Sequence, residues 1–533
     1  MSAAERVLER ESHGVETLEL DVDLEALQGS GTSTLIDTGE GNAKETDSEL
    51  DEKPGLSSAP PTHLFGTLAL DDPQNPINWP KARKIIANFI LCTWVLTLTY
   101  SSTAYVSSIS ALEETFDISE EGLSRLFFDG GCKLINLTVA LVGVTLTVFG
   151  FAAGPLIFGP MSQLYGRQII YRICAAGYSG FSFGMVYAPN ITTLLICRFF
   201  VGFWGSASIN NVPASIGDFT TLDNRLHYTS LYALMAFGGP SLGPLVSAFI
   251  QQGAGYRWNF LVMAIFSTVL SVFVALVPET HGPTLHRWRE NDAQKFPLRK
   301  QIVLLRRTLA IPVVYLFAEP LVSIVSIYLS ILYGILYGFF EEFGVVFRDI
   351  RGFSPKQYGL TYIALGLGFA IGTVLMLVIG HRLYERRAKK DFEKNGAVRA
   401  EARLELVYYG AILNPISLFL FAWTAPYTRI HWILPCIAEG LFSCSVVFIF
   451  TGFIPFLIDC YTTTSASALA AGMASRALIG SVFPLFSLQL TQALTVQGAT
   501  SLLAGIACCL TPIPFVFRWY GPQMRARSKH STG

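Results

Sequence analysis

Four ionisable side chains lie well inside long apolar stretches: Arg198, Glu319, Glu439 and Arg476. A charge surrounded by hydrocarbon is costly, so such a residue is either paired or has a task. A buried carboxylate can take up a proton and release it again, which makes Glu319 and Glu439 candidates for proton coupling. Pro320 follows Glu319 and removes a backbone donor there, which favours a polar site. The competing readings are an interfacial carboxylate for Glu319 and a helix face near outside water for Glu439. Arg198 is a functional candidate or an anchor for backbone carbonyls. Arg476 can pair with either Glu, meet an anion, or only hold helices together.

The stretches belong to a chain of 533 residues that is 51% hydrophobic and 14% charged, with mean hydropathy +0.44. That is too long for one ordinary soluble domain and too apolar for two. The nine cysteines show no CxxC or Cys/His spacing, so no zinc site or disulfide framework is expected. No GxxxxGK[ST] loop, HExxH or nucleophile elbow occurs. An enzyme is therefore not expected, and neither is a metal or an organic cofactor.

The net charge of −1 hides a division. Residues 1–80 hold 17 Asp/Glu and 4 Lys/Arg, and the remainder holds 22 acids and 34 bases. The first part lacks apolar periodicity and reads as a disordered acidic tail without a cleavable signal. Beyond Trp79, spanning stretches fall near 85–110, 137–158, 168–188, 191–214, 228–251, 257–278, 309–340, 358–380, 404–425, 430–457, 464–490 and 498–518. With the amino terminus cytoplasmic, inside flanks and loops carry 25 Lys/Arg and outside loops carry seven. Both termini are thus expected inside.

The connection 279–307 divides the stretches six and six, a common transporter layout. Leu-Tyr-Gly-Arg at 164–167 echoes Leu-Tyr-Glu-Arg at 383–386, and Asp218 echoes Asp459. The expected fold class is all-α integral membrane, with 12 helices as two six-helix bundles. The expected parts are tail 1–80, bundle 81–278, loop 279–307, bundle 308–520 and a short tail 521–533.

Several motifs carry a family resemblance. Gly-Pro-Met-Ser-Gln-Leu-Tyr-Gly-Arg-Gln at 159–168 follows the second stretch, and Cys-Arg-Phe-Phe-Val-Gly-Phe at 197–203 lies in the fourth. Gly-Gly-Pro-Ser-Leu-Gly-Pro at 238–244 lies in the fifth. With Asp-Pro-Gln-Asn-Pro-Ile-Asn-Trp at 72–79 and Pro-Glu-Thr-His-Gly-Pro-Thr-Leu at 278–285, the chain resembles the major facilitator superfamily, in particular its fungal twelve-span drug:proton antiporters. The resemblance implies export of small apolar or amphipathic compounds, driven by a proton gradient without a cofactor. It also implies a monomer in the plasma membrane, with the vacuolar membrane as alternative. A polyamine exporter, a proton-coupled importer and a non-transporting sensor remain the competing classes. Gln163 stands where the family's loop signature normally has a carboxylate, and Met235 where the fifth-span motif often has Gly.

Gly239 and Gly243, four apart, admit a close neighbour, while Pro240 and Pro244 remove donors and bend the helix. Tight packing alone would also explain them; the resemblance adds that this bend seals against proton leak. Gly159, Gly166, Arg167, Asp218 and Arg225 are expected to form a cytoplasmic gate, with Asp459 and Arg386 or Arg387 as the later counterpart. Tyr105, Trp204, Asn210, Tyr328, Tyr333 and Phe483 are candidates to line a cavity for the small-molecule substrate. Asn190 opens a sequon close to the membrane. Deleting residues 122–138 restores the join seen in relatives, so they read as an outside-loop insertion or a retained intron.

Overall fold

In hydrocarbon every backbone N–H and C=O must find a partner within its own segment, so apolar runs of this length fold as helices. The computed structural model describes residues 72–116, 134–289, 315–395, 398–461 and 465–527, and among these there are helices and turns but no strand. In chain order the long helices are α1 (Lys81–Ser108), α2 (Leu134–Tyr165), α3 (Arg167–Val186) and α4 (Ile191–Phe219). They continue as α5 (Leu222–Ala254), α6 (Tyr256–Leu276), α7 (Pro320–Ile350) and α8 (Pro355–Leu375, prolonged through His381–Asn395). Then come α9 (Ala400–Thr424), α10 (Ile433–Cys460), α11 (465–494) and α12 (496–510, continued by Pro512–Arg527). Among the described residues, 11 runs are long and apolar enough to cross a membrane. The remaining long helix is α3, whose first two turns carry Arg167 and Arg172.

Local chemistry sets the ends. Gly166 adopts φ +98 between α2 and α3, a conformation costly to any residue with a Cβ. The Asn190 side chain accepts from Thr193 N at 2.8 Å and so caps α4. Ser354 and Gln357 form a reciprocal capping box that starts α8. Thr495, at φ 63, breaks the run Ser465–Leu510 into α11 and α12.

Two expectations about boundaries change. Residues 72–79 are not part of a featureless tail. Asp72 binds Arg289, Asn75 caps the turn Pro76–Asn78, and Trp79 stacks on Phe219 with centroids 6.1 Å apart. Residues 1–71 lie outside the described residues. The seventh span was expected at 309–340; residues 309–314 lie outside the described residues, 315–318 are helical, and the long helix runs from Pro320 to Ile350, past the expected end. Of 122–138, residues 122–133 lie outside the described residues, and 134–138 begin α2.

The helices of 81–276 pack mainly on one another: α1 on α5, α2 on α4, and α3 on α4 and α6. Those of 320–527 do likewise: α7 on α11, α8 on α10, and α9 on α10. The two sets meet where α5 lies against α8 and α2 against α11. On the outside of α8, Ile363, Leu367, Ile371 and Val374 are exposed at helical spacing, an apolar stripe suited to lipid.

The closest approaches rely on missing side chains. A Cβ on Gly202 of α4 would run into the Thr147 carbonyl of α2. Gly202→Leu is therefore expected to cost about 1–3 kcal/mol or more through overpacking. Gly253→Ala, where a Cβ would meet nothing within 4 Å, serves as the control. Thermal unfolding of the detergent-solubilised protein should separate the two; equal midpoints would contradict the α2–α4 contact.

Candidate functional site

A helix leaves its last four carbonyls without internal donors. The α-helical part of α1 ends at Ala104; Tyr105 N–H turns to Thr103 O, and Ser101, Ser102 and Ala104 take donors from other helices. Arg198 on α4 donates to Ser101 O at 2.8 Å and to Ser102 O at 3.1 Å. Its Nε donates to Gly143 O of α2 at 3.1 Å, and its guanidinium lies 4.3 Å over the Tyr105 ring. Asn259 of α6 donates to Ala104 O at 3.1 Å. Arg198 is fully buried, and a cation at a helix C-terminus is also favoured by the helix dipole. Its contacts are therefore those of a carbonyl anchor.

The fifth-span motif works through the same helix. Pro244 cannot donate to the carbonyl four residues back, which is that of Pro240. Thr103 of α1 donates to Pro240 O at 2.9 Å and replaces the missing bond. A Cβ on Gly243 would press on Ala104 N and Tyr100 O, and one on Gly239 would press on Tyr100 N. The bend and the α1–α5 contact thus depend on each other.

At the end of the helices where most Lys/Arg gather, called here the basic end, Arg167 Nε donates to Asp218 at 2.7 Å. Glu279 completes the cluster. Its carboxylate accepts backbone N–H groups of Arg167, Gln168, Thr280 and His281 at 2.8–3.0 Å. A Cβ on Gly166 would fall 2.5 Å from this carboxylate, and one on Gly159 would fall 2.7 Å from Asn210 Nδ2. Arg225 does not join the ion pair: it donates to Gly217 O at 3.3 Å. In the later helices Asp459 is held by Arg403 at 2.9 Å, not by Arg386 or Arg387. Arg387 instead approaches Asp391 at 3.4 Å, one helical turn away. Glu401 and Arg525 add a second pair at 3.0 Å.

The carboxylates are dispersed. Glu319 lies just before Pro320 at the basic end, preceded by the helical residues 315–318, and accepts from Tyr461 Oη at 3.1 Å. Glu439 is buried on α10, and neither of its oxygens has a hydrogen-bond partner among the described residues. Glu342 of α7, absent from the sequence expectations, is buried and accepts from Thr500 at 3.1 Å and Thr491 at 3.5 Å.

Of the cavity candidates, Tyr105 lies under Arg198 and stacks on Phe260. Trp204 packs on Phe158 and Phe203, Asn210 reaches Asn211, and Tyr328 packs on Phe453. These contacts stay within one set of helices. A different group spans both sets. Tyr337 of α7 reaches Ser102 of α1 at 3.2 Å and Tyr333 at 3.4 Å. The Arg476 guanidinium of α11 lies 5.2 Å from the Tyr333 ring and 5.2 Å from the Phe450 ring of α10. Phe237 of α5 then contacts Phe450 at 5.0 Å and Phe369 of α8 at 5.7 Å. Phe483, packed on Gly334, continues this aromatic seam. Tyr333 and Phe483 could be named from sequence, but Tyr337 and Phe237 carried no distinguishing signal.

Helices crossing a membrane, two mutually packed sets, paired charges at one end and an aromatic seam between them describe a transporter rather than an enzyme. The family model described as Major Facilitator Superfamily matches residues 89–512, and the chain belongs to that superfamily. It is 34% identical over 476 residues to the efflux pump FUBT of Fusarium oxysporum, covering 86% of this chain and 76% of that one. It is 32% identical over 477 residues to the multidrug transporter TPO1_2 of Candida glabrata, covering 86% and 78%. The xylose transporter XylE from E. coli, in a partially occluded inward-open conformation, superposes with TM-score 0.57 at 16% identity. That match covers 82% of this chain and 98% of the other, and it shows a common fold.

Arg198→Ala would remove the donors that reach the buried carbonyls of Ser101 and Ser102 from α4, an expected cost of about 2–3 kcal/mol. A thermal midpoint unchanged in detergent would contradict the anchoring role. For the later helices, a double-mutant cycle between Arg403→Ala and Asp459→Ala should show coupling of about 0.5–1 kcal/mol, given their partial exposure. The same cycle between Arg387 and Asp459 should show none.

Proposed function

We propose that this protein exports small apolar or amphipathic organic compounds, such as drugs, toxins or secondary metabolites, in exchange for protons. Bundles 81–278 and 308–520, joined by loop 279–307, rock about the seam so that it opens to one side and then the other. The observation that carries this reading is the seam itself. Aromatic side chains from both sets of helices meet there, and this is the lining that apolar cargo requires. The efflux names of the relatives support the outward direction. Proton coupling rests on the family resemblance.

Among the coupling candidates, Glu439 fits a proton carrier best, because no hydrogen-bond donor holds its carboxylate among the described residues. Glu342 is a second carboxylate suited to that work. Arg198 keeps α1, α2 and α4 in register, and Glu319 belongs to the basic end. Arg167, Asp218 and Glu279, with Arg403 and Asp459, act as latches whose breaking favours the alternate state. The basic end faces the cytoplasm with both termini, the membrane is the plasma membrane, and the protein works as a monomer.

The test uses purified protein in acid-loaded liposomes with an apolar fluorescent dye outside. Dye should accumulate inside, and a protonophore should reduce the accumulation at least tenfold. Accumulation that ignores the gradient would refute antiport. Glu439→Gln should lose gradient-driven accumulation while keeping downhill dye exchange; full accumulation by this variant would remove Glu439 from the coupling role.

A further inference from the structure

The arginines near the midplane and the helix ends differ in what their nitrogens do. Arg198 spends its donors on three carbonyls. Arg351, beyond α7, donates to the carbonyls of Thr424, Ala425, Tyr427 and Ile430. Arg403 has Asp459. Arg476 is different. It is only partly buried, and among the described residues it has no carboxylate within ion-pair distance and no hydrogen-bond acceptor. A guanidinium remains charged in proteins, presents its donors as a planar fork, and is expensive to keep in hydrocarbon without an anion.

Its surroundings offset part of that cost without using the donors. The rings of Tyr333 and Phe450 both lie 5.2 Å from the guanidinium carbon, and the negative faces of aromatic rings attract a cation. Tyr232 of α5 is within electrostatic reach as well, so the charge is felt across both sets of helices. A cation held by ring faces, with an unspent fork at the meeting of the two sets, is arranged for an anion that arrives from outside the protein. Its neighbours Tyr333 and Phe450 offer flat apolar area beside that anion, continued by Phe237.

We propose that Arg476 is the headgroup site of the transported compound, and that the compound is a monoanion: a carboxylate attached to an aromatic or flat apolar body. The fork matches a carboxylate in two parallel hydrogen bonds, and the neighbouring rings take the body. A single unspent guanidinium fits one negative charge, so dianions and polycations such as polyamines are disfavoured. This rests on the export reading above and narrows its substrate class.

The experiment measures binding and transport separately. Binding of 1-naphthoate and of its neutral analogue 1-naphthamide to the detergent-solubilised full chain is followed by equilibrium dialysis. The wild type should hold the carboxylate at least tenfold more tightly. Arg476→Gln should abolish that preference and leave naphthamide binding within twofold. Arg476→Lys, which keeps the charge and loses the fork, should fall between the two. Equal binding of the two compounds by the wild type, no binding of either, or an undiminished preference in Arg476→Gln would each overturn the assignment. The wild-type comparison needs no variant, so a poorly folding Arg476→Gln leaves the test intact. Gradient-driven dye accumulation in the liposome assay, measured in parallel, reports on antiport itself. Its success alongside equal binding sinks only the anion site, and its failure sinks the export reading.

Discussion

A guanidinium placed where neither water nor a carboxylate can reach it must be satisfied by backbone, and Arg198 is satisfied by the end of α1 and by a carbonyl of α2. This interaction sets much of the first six helices. It supports the end of the α-helical part of α1, where Ser101 and Ser102 take donors from another helix. It draws α4 and α2 together, and the glycines at 150, 154 and 202 leave no side chain to resist that approach. Thr103, on the same turn, is then positioned to supply the donor that Pro244 lacks. Charge, helix end and bend are one connected problem, solved by a few side chains.

The fold was largely legible because apolar length and loop charge are properties of single segments. Pairings were less so, because they depend on how each helix is rotated. Asp218 and Arg167 could be matched through a motif, yet the same logic assigned Asp459 to Arg386 or Arg387 when Arg403 holds it. Arg403 precedes a span and read as one more positive loop residue. Glu342 was missed for a related reason. A Glu-Glu pair looks like the end of a span until Thr491 and Thr500, more than a hundred positions on, prove to be its donors. The candidate cavity fared least well, because an aromatic side chain gives no sequence signal of whether it faces its own bundle or the other.

The basic end and the seam make opposite use of charge. At the basic end, cations and anions close on each other or on backbone groups, and those contacts can be broken and remade at modest cost near water. At the seam a carboxylate partner is missing among the described residues, and rings take its place around Arg476. A surface of that kind resists closing on itself, since a bare cation gains nothing from a dry apolar wall. Under the proposed assignment, cargo that neutralises it would make closure easier.

The cluster at Glu279 joins positions 112 residues apart in the chain, since its carboxylate holds the amide of Arg167. Its members all lie before the seventh helix. The pair between Glu401 and Arg525 likewise joins positions 124 residues apart within the later helices alone. During synthesis the first six helices can therefore lock their basic-end corner while the next six are still being made. Each set then meets the other as a finished part, and the seam is the last surface to form.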